Sequence, residues 1–201
     1  MISNTNRATV GRSRRALAAC VLLAMYLGGC AVATVGTVLV TGVDIARDRR
    51  TVGTYVDDNA VEIKIRRALR QDSQFGPNTH ISVTSMNGIV LLTGEVVQHE
   101  QSRRAAGIAR GYTEARQVIN QLTIEPVAGF TSRTRDSWIT TKSKSALLTA
   151  PGVSAGRVKI VTEGATVYLL GMVSRAEADA AVNAIRKIRG VQRIVKVFEY
   201  I

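Results

Sequence analysis

Asp58-Asn-Ala-Val-Glu-Ile-Lys-Ile-Arg-Arg-Ala-Leu69 is echoed further along the chain by Asp136-Ser-Trp-Ile-Thr-Thr-Lys-Ser-Lys-Ser-Ala-Leu147. In each copy an aspartate able to cap a helix precedes a run ending on a shared leucine, which predicts a helix starting at the aspartate. The copies then stay in step. Ile81-Ser-Val-Thr and Val158-Lys-Ile-Val alternate apolar and polar residues, the period of a half-buried strand. Val90-Leu-Leu-Thr-Gly94 and Val167-Tyr-Leu-Leu-Gly171 predict second strands that stop at a glycine. A helical stretch follows (Glu100 to Tyr112; Ala176 to Arg189), then a β-branched strand (Gln117 to Ile124; Arg193 to Tyr200). Each copy reads helix, strand, strand, helix, strand, and duplication of that order predicts two similar α+β domains. Neither two amphipathic helices nor three strands are stable uncovered, so both helices are expected on one face of a mixed three-stranded sheet. The strand–helix–strand segment is then a right-handed crossover.

The connections sharpen this. Asn87-Gly88 predicts a type I′ turn, with both central residues at positive φ, whereas Gly164-Ala165 predicts type II′ with glycine first. Gly190-Val191 precedes the last strand of the second copy where the first copy has Glu114-Ala115, so the first corner is expected to be looser or its helix longer. Pro126 and Gly129 break regular structure between the copies. The expected organisation is a first domain over 55–125, a joint over 126–135 and a second domain over 136–201. The joint is short, and the domains are expected to touch.

This order, with its turn and terminal glycines, resembles the BON domain of bacterial periplasmic and outer-membrane proteins. Arg50-Thr-Val-Gly-Thr-Tyr-Val-Asp-Asp58 and Asp136-Ser-Trp-Ile-Thr-Thr-Lys142 are similar to two signature stretches of the dual-BON outer-membrane lipoproteins. The resemblance covers the chain after residue 30, and the first copy is the more diverged. It implies two tandem BON domains that bind anionic phospholipid, help keep the envelope intact and carry out no catalysis.

The N-terminus agrees with such a protein. Arg7, Arg12, Arg14 and Arg15 precede an uncharged run that closes with Leu27-Gly28-Gly29-Cys30. A basic n-region, an apolar h-region and small residues at the cleavage site make a signal peptide, and this one resembles that of bacterial lipoproteins. The resemblance implies cleavage after residue 29 and acylation of Cys30, with diacylglyceryl and palmitate-like acyl groups and no other cofactor. Residues 30–54 then form a lipidated stem and flexible tether. The rival reading stays open: no charge occurs from Ala16 to Val43, long enough for an uncleaved spanning helix. Four glycines (28, 29, 36 and 42) and a β-branched stem count against that helix. Ala31, where retained lipoproteins often carry Asp, points to the outer membrane of a Gram-negative cell, with the chain on the periplasmic face.

The chain carries 27 Lys+Arg against 15 Asp+Glu, and discarding the four n-region arginines takes the net charge from +12 to +8. A basic protein meets anionic partners. Export removes nucleic acid from consideration and leaves an anionic phospholipid membrane or lipopolysaccharide. Cys20 lies in the discarded signal and Cys30 is consumed by acylation, so no disulfide is available.

The expected lipid contact lies on the first helix of the second domain. Taking Ile139 as the core direction and stepping 100° per residue, Ser143, Ala146 and Ala150 fall near it, and Leu148 lies opposite. Trp138, the one tryptophan, falls on a flank beside Lys142, with Arg133 and Arg135 just upstream. An amphipathic ring flanked by cations settles at lipid head groups. The rival role for Trp138 is to cover the domain joint, packing on Phe130 or the first domain. The matching helix of the first domain carries Lys64, Arg66, Arg67 and Arg70, with Ile63 its one apolar residue off the core, a pattern that suits a solvated face, spacer or protein contact. A non-enzymatic adapter, holding an envelope-assembly protein or peptidoglycan, is the alternative function.

Enzyme signals are weak. Gly152-Val-Ser154-Ala-Gly156 matches G-x-S-x-G but joins a helix to a strand, and no histidine follows it. His80 and His99 have no second ligand at metal spacing, and no small-molecule substrate is suggested. Gly107-Ile-Ala-Arg-Gly111 fits G-x-x-x-G and is expected to mark close packing on the sheet.

Overall fold

The computed structural model describes residues 52–201; the signal segment 1–29, Cys30 and nearly all of the expected tether lie outside the described residues. The elements are α1 (Val52–Gln71), β1 (His80–Met86), β2 (Ile89–Val96), α2 (His99–Arg110), β3 (Gln117–Ile124), α3 (Phe130–Thr149), β4 (Val158–Glu163), β5 (Thr166–Val173), α4 (Arg175–Ile185) and β6 (Arg193–Tyr200), with a 3-10 turn at Ala155–Arg157. In each half the first strand pairs antiparallel with a central second strand, and the third pairs parallel with that centre. This is the expected α+β architecture, and β3 and β6 span the residues read from sequence. Val61, Ile65 and Leu69 of α1 and Ala105, Ala106 and Ala109 of α2 pack over Val83, Val90 and Leu92. In the second half Ile139, Leu147, Ala178, Ala181 and Ile185 pack over Val158, Ile160, Val167 and Leu169. Alanines on α2 and α4 let those helices sit close to their sheets.

Both first helices begin earlier than their aspartates. α1 is helical from Val52, and α3 starts at Phe130 inside the stretch read as the joint. Asp58 and Asp136 therefore do not cap helices. They are buried, and each reaches across to a hairpin. Asp58 accepts hydrogen bonds from the backbone N–H of Asn87 (2.7 Å) and Gly88 (2.9 Å) and from Ser85 Oγ (2.7 Å). Asp136 accepts from the N–H of Gly164 (3.0 Å) and Ala165 (2.9 Å). The repeat that announces the fold is a helix-to-hairpin clamp.

The clamp also corrects the second turn. Asn87 and Gly88 have φ of 52° and 71°, as a type I′ turn requires; Gly164 and Ala165 have 55° and 59°, the same pair of signs, so the type II′ expectation fails. Two successive N–H groups must point to one side to share a carboxylate, and two left-handed residues place them so. The left-handed alanine costs about 1–2 kcal/mol. Each hydrogen bond to a charged acceptor contributes about 1.5–3 kcal/mol, which outweighs it.

Gly94 and Gly171 do not end their strands; β2 continues to Val96 and β5 to Val173. A Cβ at residue 94 would lie 2.1 Å from the His80 carbonyl oxygen, and one at 171 would lie 2.4 Å from that of Arg157. Only hydrogen fits where the neighbouring backbone comes so near. Gly107 is the opposite case: nothing lies within 4 Å of its would-be Cβ and it is exposed, so the G-x-x-x-G stretch is no packing motif.

The sheets have a second buried face, and the domains touch through it. β2 and β5 are buried along nearly their whole length. Met86, Leu91, Ile89 and Ile119 of one sheet meet Tyr168, Leu170, Val197, Val161 and Val195 of the other. Residues 52–201 thus form four layers, with helix pairs outside and two sheets face to face. One end of the inter-sheet layer is closed by paired charges. Lys159 Nζ donates to Glu62 Oε1 (2.7 Å) and the Ser85 carbonyl (3.1 Å), and Glu199 accepts from the Asn87 amide and from Arg116 (3.1 Å).

Candidate functional site

α3 is rich in Ser and Thr, which are mediocre helix formers, so its stability comes from packing and from the Asp136 clamp. Asp136, Ile139, Ser143 and Leu147 are its buried side. The opposite side carries Phe130, Trp138 and Leu148, which are 87%, 46% and 70% exposed. Phe130 and Leu148 lie on one meridian, five whole turns apart, with Trp138 on its flank. Lys142 Nζ sits 5.8 Å from the centre of the Trp138 ring, within cation–π range. Phe130, Thr131, Thr134, Arg135 and Trp138 line a shallow groove. Arg133, Arg135, Lys142 and Lys144 provide positive charge, and the one acid of this helix, Asp136, is buried.

Three of the hydroxyls between the apolar groups are already used. Thr134 Oγ1 donates to the Phe130 carbonyl, Ser137 Oγ to that of Arg133, and Thr141 Oγ1 to that of Ser137, each at 3.0 Å. A hydroxyl bonded to its own helix loses little when it leaves bulk water. The face therefore presents rings, methyl groups and flanking cations with few polar groups that need water.

Of the residues singled out from sequence, the fold brings Trp138, Lys142 and Arg135 together. Arg133 lies on the other flank, where its charge opposes the upward shift of Glu163 described below. Leu148 is exposed as expected but lies about 15 Å along the axis from Trp138. Phe130 was placed in the joint; its spacing to Leu148 is the signal that assigns it to this face. Trp138 and Phe130 line one groove, but Phe130 belongs to the same helix and is 87% exposed, so the groove is a feature of the outer face of α3. On the first domain's helix, Lys64 pairs with Glu114 (2.6 Å) and Arg66 with Glu62, while Val56 joins Ile63 as an exposed apolar residue.

The remaining motifs lie apart from this face. Ser154 leads into the 3-10 turn between α3 and β4, the reverse of a strand-to-helix nucleophile elbow. Among the described residues no group of three or more His, Cys, Asp or Glu side chains could hold a metal ion. No described helix is long and apolar enough to cross a membrane.

Comparison with known proteins agrees with the architecture. The profile of the BON domain matches residues 57–126 and 135–201, one match on each half. The chain is 36% identical over 177 residues to the outer membrane lipoprotein DolP of Haemophilus influenzae, covering 88% of this chain and 91% of that protein. It is 37% identical over 154 residues to the 21 kDa hemolysin of Actinobacillus pleuropneumoniae, covering 77% and 79%. A more distant relative is the osmotically-inducible protein Y of Escherichia coli, at 29% identity over 71% of this chain and 72% of that one. With two matched domains, one clamp repeated in each and a DolP-like relative aligned over most of its length, the chain belongs to the BON-domain family as a DolP-like tandem member.

Proposed function

We propose that this protein is an outer-membrane lipoprotein of a Gram-negative bacterium, held by acyl groups on Cys30, that reads anionic phospholipid through the outer face of α3 and supports envelope integrity. The location rests on the likeness to a relative named an outer membrane lipoprotein and on the Leu27-Gly28-Gly29-Cys30 stretch. The observation that supports lipid reading is one helix face with Phe130, Trp138 and Leu148 exposed, four cations and no outward acid. Burying one such side chain in the interfacial layer contributes about 1.5–3 kcal/mol, and each nearby cation adds about 1 kcal/mol at a charged surface. The acyl groups hold the protein at the membrane, and α3 selects where on it the protein dwells. The domain is a binding module, with no catalytic step.

The test is vesicle binding by residues 31–201, which lack the acylated cysteine. Phosphatidylglycerol vesicles are expected to bind, phosphatidylcholine vesicles to bind weakly, and Phe130→Glu or Trp138→Glu to lower affinity at least tenfold. Equal binding by the wild-type chain and both variants rejects α3 as the site. The adapter reading, with an envelope-assembly protein or peptidoglycan as partner, is favoured instead if crosslinks from position 138 in cells give one dominant protein band.

A further inference from the structure

We propose that the open end of the inter-sheet layer is a cation-binding site, formed by Glu95 and Glu163, for a compact cation that presents hydrogen-bond donors: a hydrated divalent ion or a protonated primary amine. The site is separate from the lipid-reading face of α3 and does not depend on it.

The strand registers place these carboxylates. Glu95 lies opposite His80 on β1 and Thr123 on β3, so all three share the inner face of the first sheet. Glu163 lies opposite Thr166, which lies opposite Arg193, on the inner face of the second sheet. The facing residues border a cleft of about 390 Å³ that Gln121, Thr123, Glu125 and Thr166 also line. Glu95 is only 5% exposed, and its Oε2 is buried with no hydrogen-bond partner. A buried carboxylate oxygen left unpaired is costly, and the usual remedy is a positive partner. The opposite end of the same layer has that remedy in Lys159 and Arg116. At this end Arg193 borders the cleft and His80 Nε2 stands 3.8 Å from Glu163 Oε2, yet Glu95 Oε2 accepts a hydrogen bond from neither.

Electrostatics point the same way. Burial first, then the charges of Glu95 and Asp136, push the Glu163 carboxyl up to about 7, against the opposing pull of Arg133. Below about pH 7 a proton therefore occupies Glu163, and above it the site is anionic and open to a cation with several donors. Two carboxylates are too few to cage a bare metal, and the described residues offer no such group of three. They suit an ion that keeps its water, as magnesium commonly does, or an ammonium group. A water occupies roughly 30 Å³, so the cleft has room for a hydrated ion.

The experiment is thermal unfolding and titration calorimetry of the full chain in detergent at pH 8, with MgCl2 or ethylammonium chloride, against NaCl at matched ionic strength. A saturable, one-to-one rise in Tm with either probe is expected, lost in Glu163→Gln and in Glu95→Gln. The apparent affinity should fall about tenfold from pH 8 to pH 6, as protons compete for Glu163. A response to magnesium alone identifies a divalent ion as the occupant, and a response to ethylammonium alone identifies an amine. No rise beyond that of NaCl, or the same rise in Glu163→Gln, overturns the proposal. Should Glu95→Gln fail to fold, Glu163→Gln at the less buried position carries the test.

Discussion

At the scale of single residues, the aspartate of each repeat does more than its position in a helix suggests. Asp136 holds two turn N–H groups with its two oxygens, and an amide offers only one acceptor. Asp136→Asn is therefore expected to lower stability by about 2–3 kcal/mol, read as a lower denaturant midpoint with unchanged slope. It also removes one of the charges that raises Glu163, so the Glu163 carboxyl should titrate at lower pH in that variant. Gly94→Ala is the harsher change. The added methyl meets the His80 carbonyl, backbone that cannot swing aside, at a residue whose φ is 113°. It should cost more than about 3 kcal/mol or abolish folding, measured by soluble yield and far-UV circular dichroism. The aspartates and glycines were visible as repeated letters. Their partners were not, because a carboxylate has the same capping preference wherever it lies, and the hairpin that takes it comes some thirty residues later.

At the scale of elements, the strands were the most legible part. β3 and β6 are bounded as their β-branched runs suggest, since a strand's two faces impose a period that survives in sequence. Helix starts were less legible. Gly129 reads as a break, yet α3 begins directly after it, and α1 runs through Gly53 in the stretch expected to be tether. Tertiary packing of the later turns overrides weak local propensity. Gly107 illustrates the same balance. It lies in α2 with open space where a methyl would go, so Gly107→Ala should raise stability by about 0.5–1 kcal/mol, seen as a Tm increase of a few degrees. That gain would not occur if the glycine marked a packing contact. On α3, Trp138 and Lys142 were readable from the helical wheel, and Phe130 was lost because its helix was started six residues late.

At the scale of the whole molecule, the two sheets act as one core whose ends differ. One end is neutralised by Lys159 on Glu62 and by Arg116 on Glu199, and the other faces Glu95 with Glu163. Glu163 has a folded pKa, about 7, above its ordinary value of 4.5. Its contribution is fully favourable below the unfolded value and is lost as pH rises through 7. In cation-free buffer the protein should thus lose stability between about pH 5 and pH 8, on the order of 2–3 kcal/mol, and Glu163→Gln should flatten that dependence. Chemical denaturation across this range checks it; a flat wild-type profile contradicts the burial and charge assigned to the pair.

By itself the order of residues determined that there are two copies of one α-β-β-α-β unit, where the β3 and β6 strands run, and which helix carries an aromatic among cations. Those features are local or periodic, and a period is written into the chain once per turn or once per pleat. Only the tertiary structure decided that each aspartate clamps a distant hairpin, that both sheets bury a second face against each other, and that two acids meet at one end of that layer. Such pairings depend on which surfaces the folded units bring together, and an apolar strand face reads the same in sequence whether it meets a helix or another sheet.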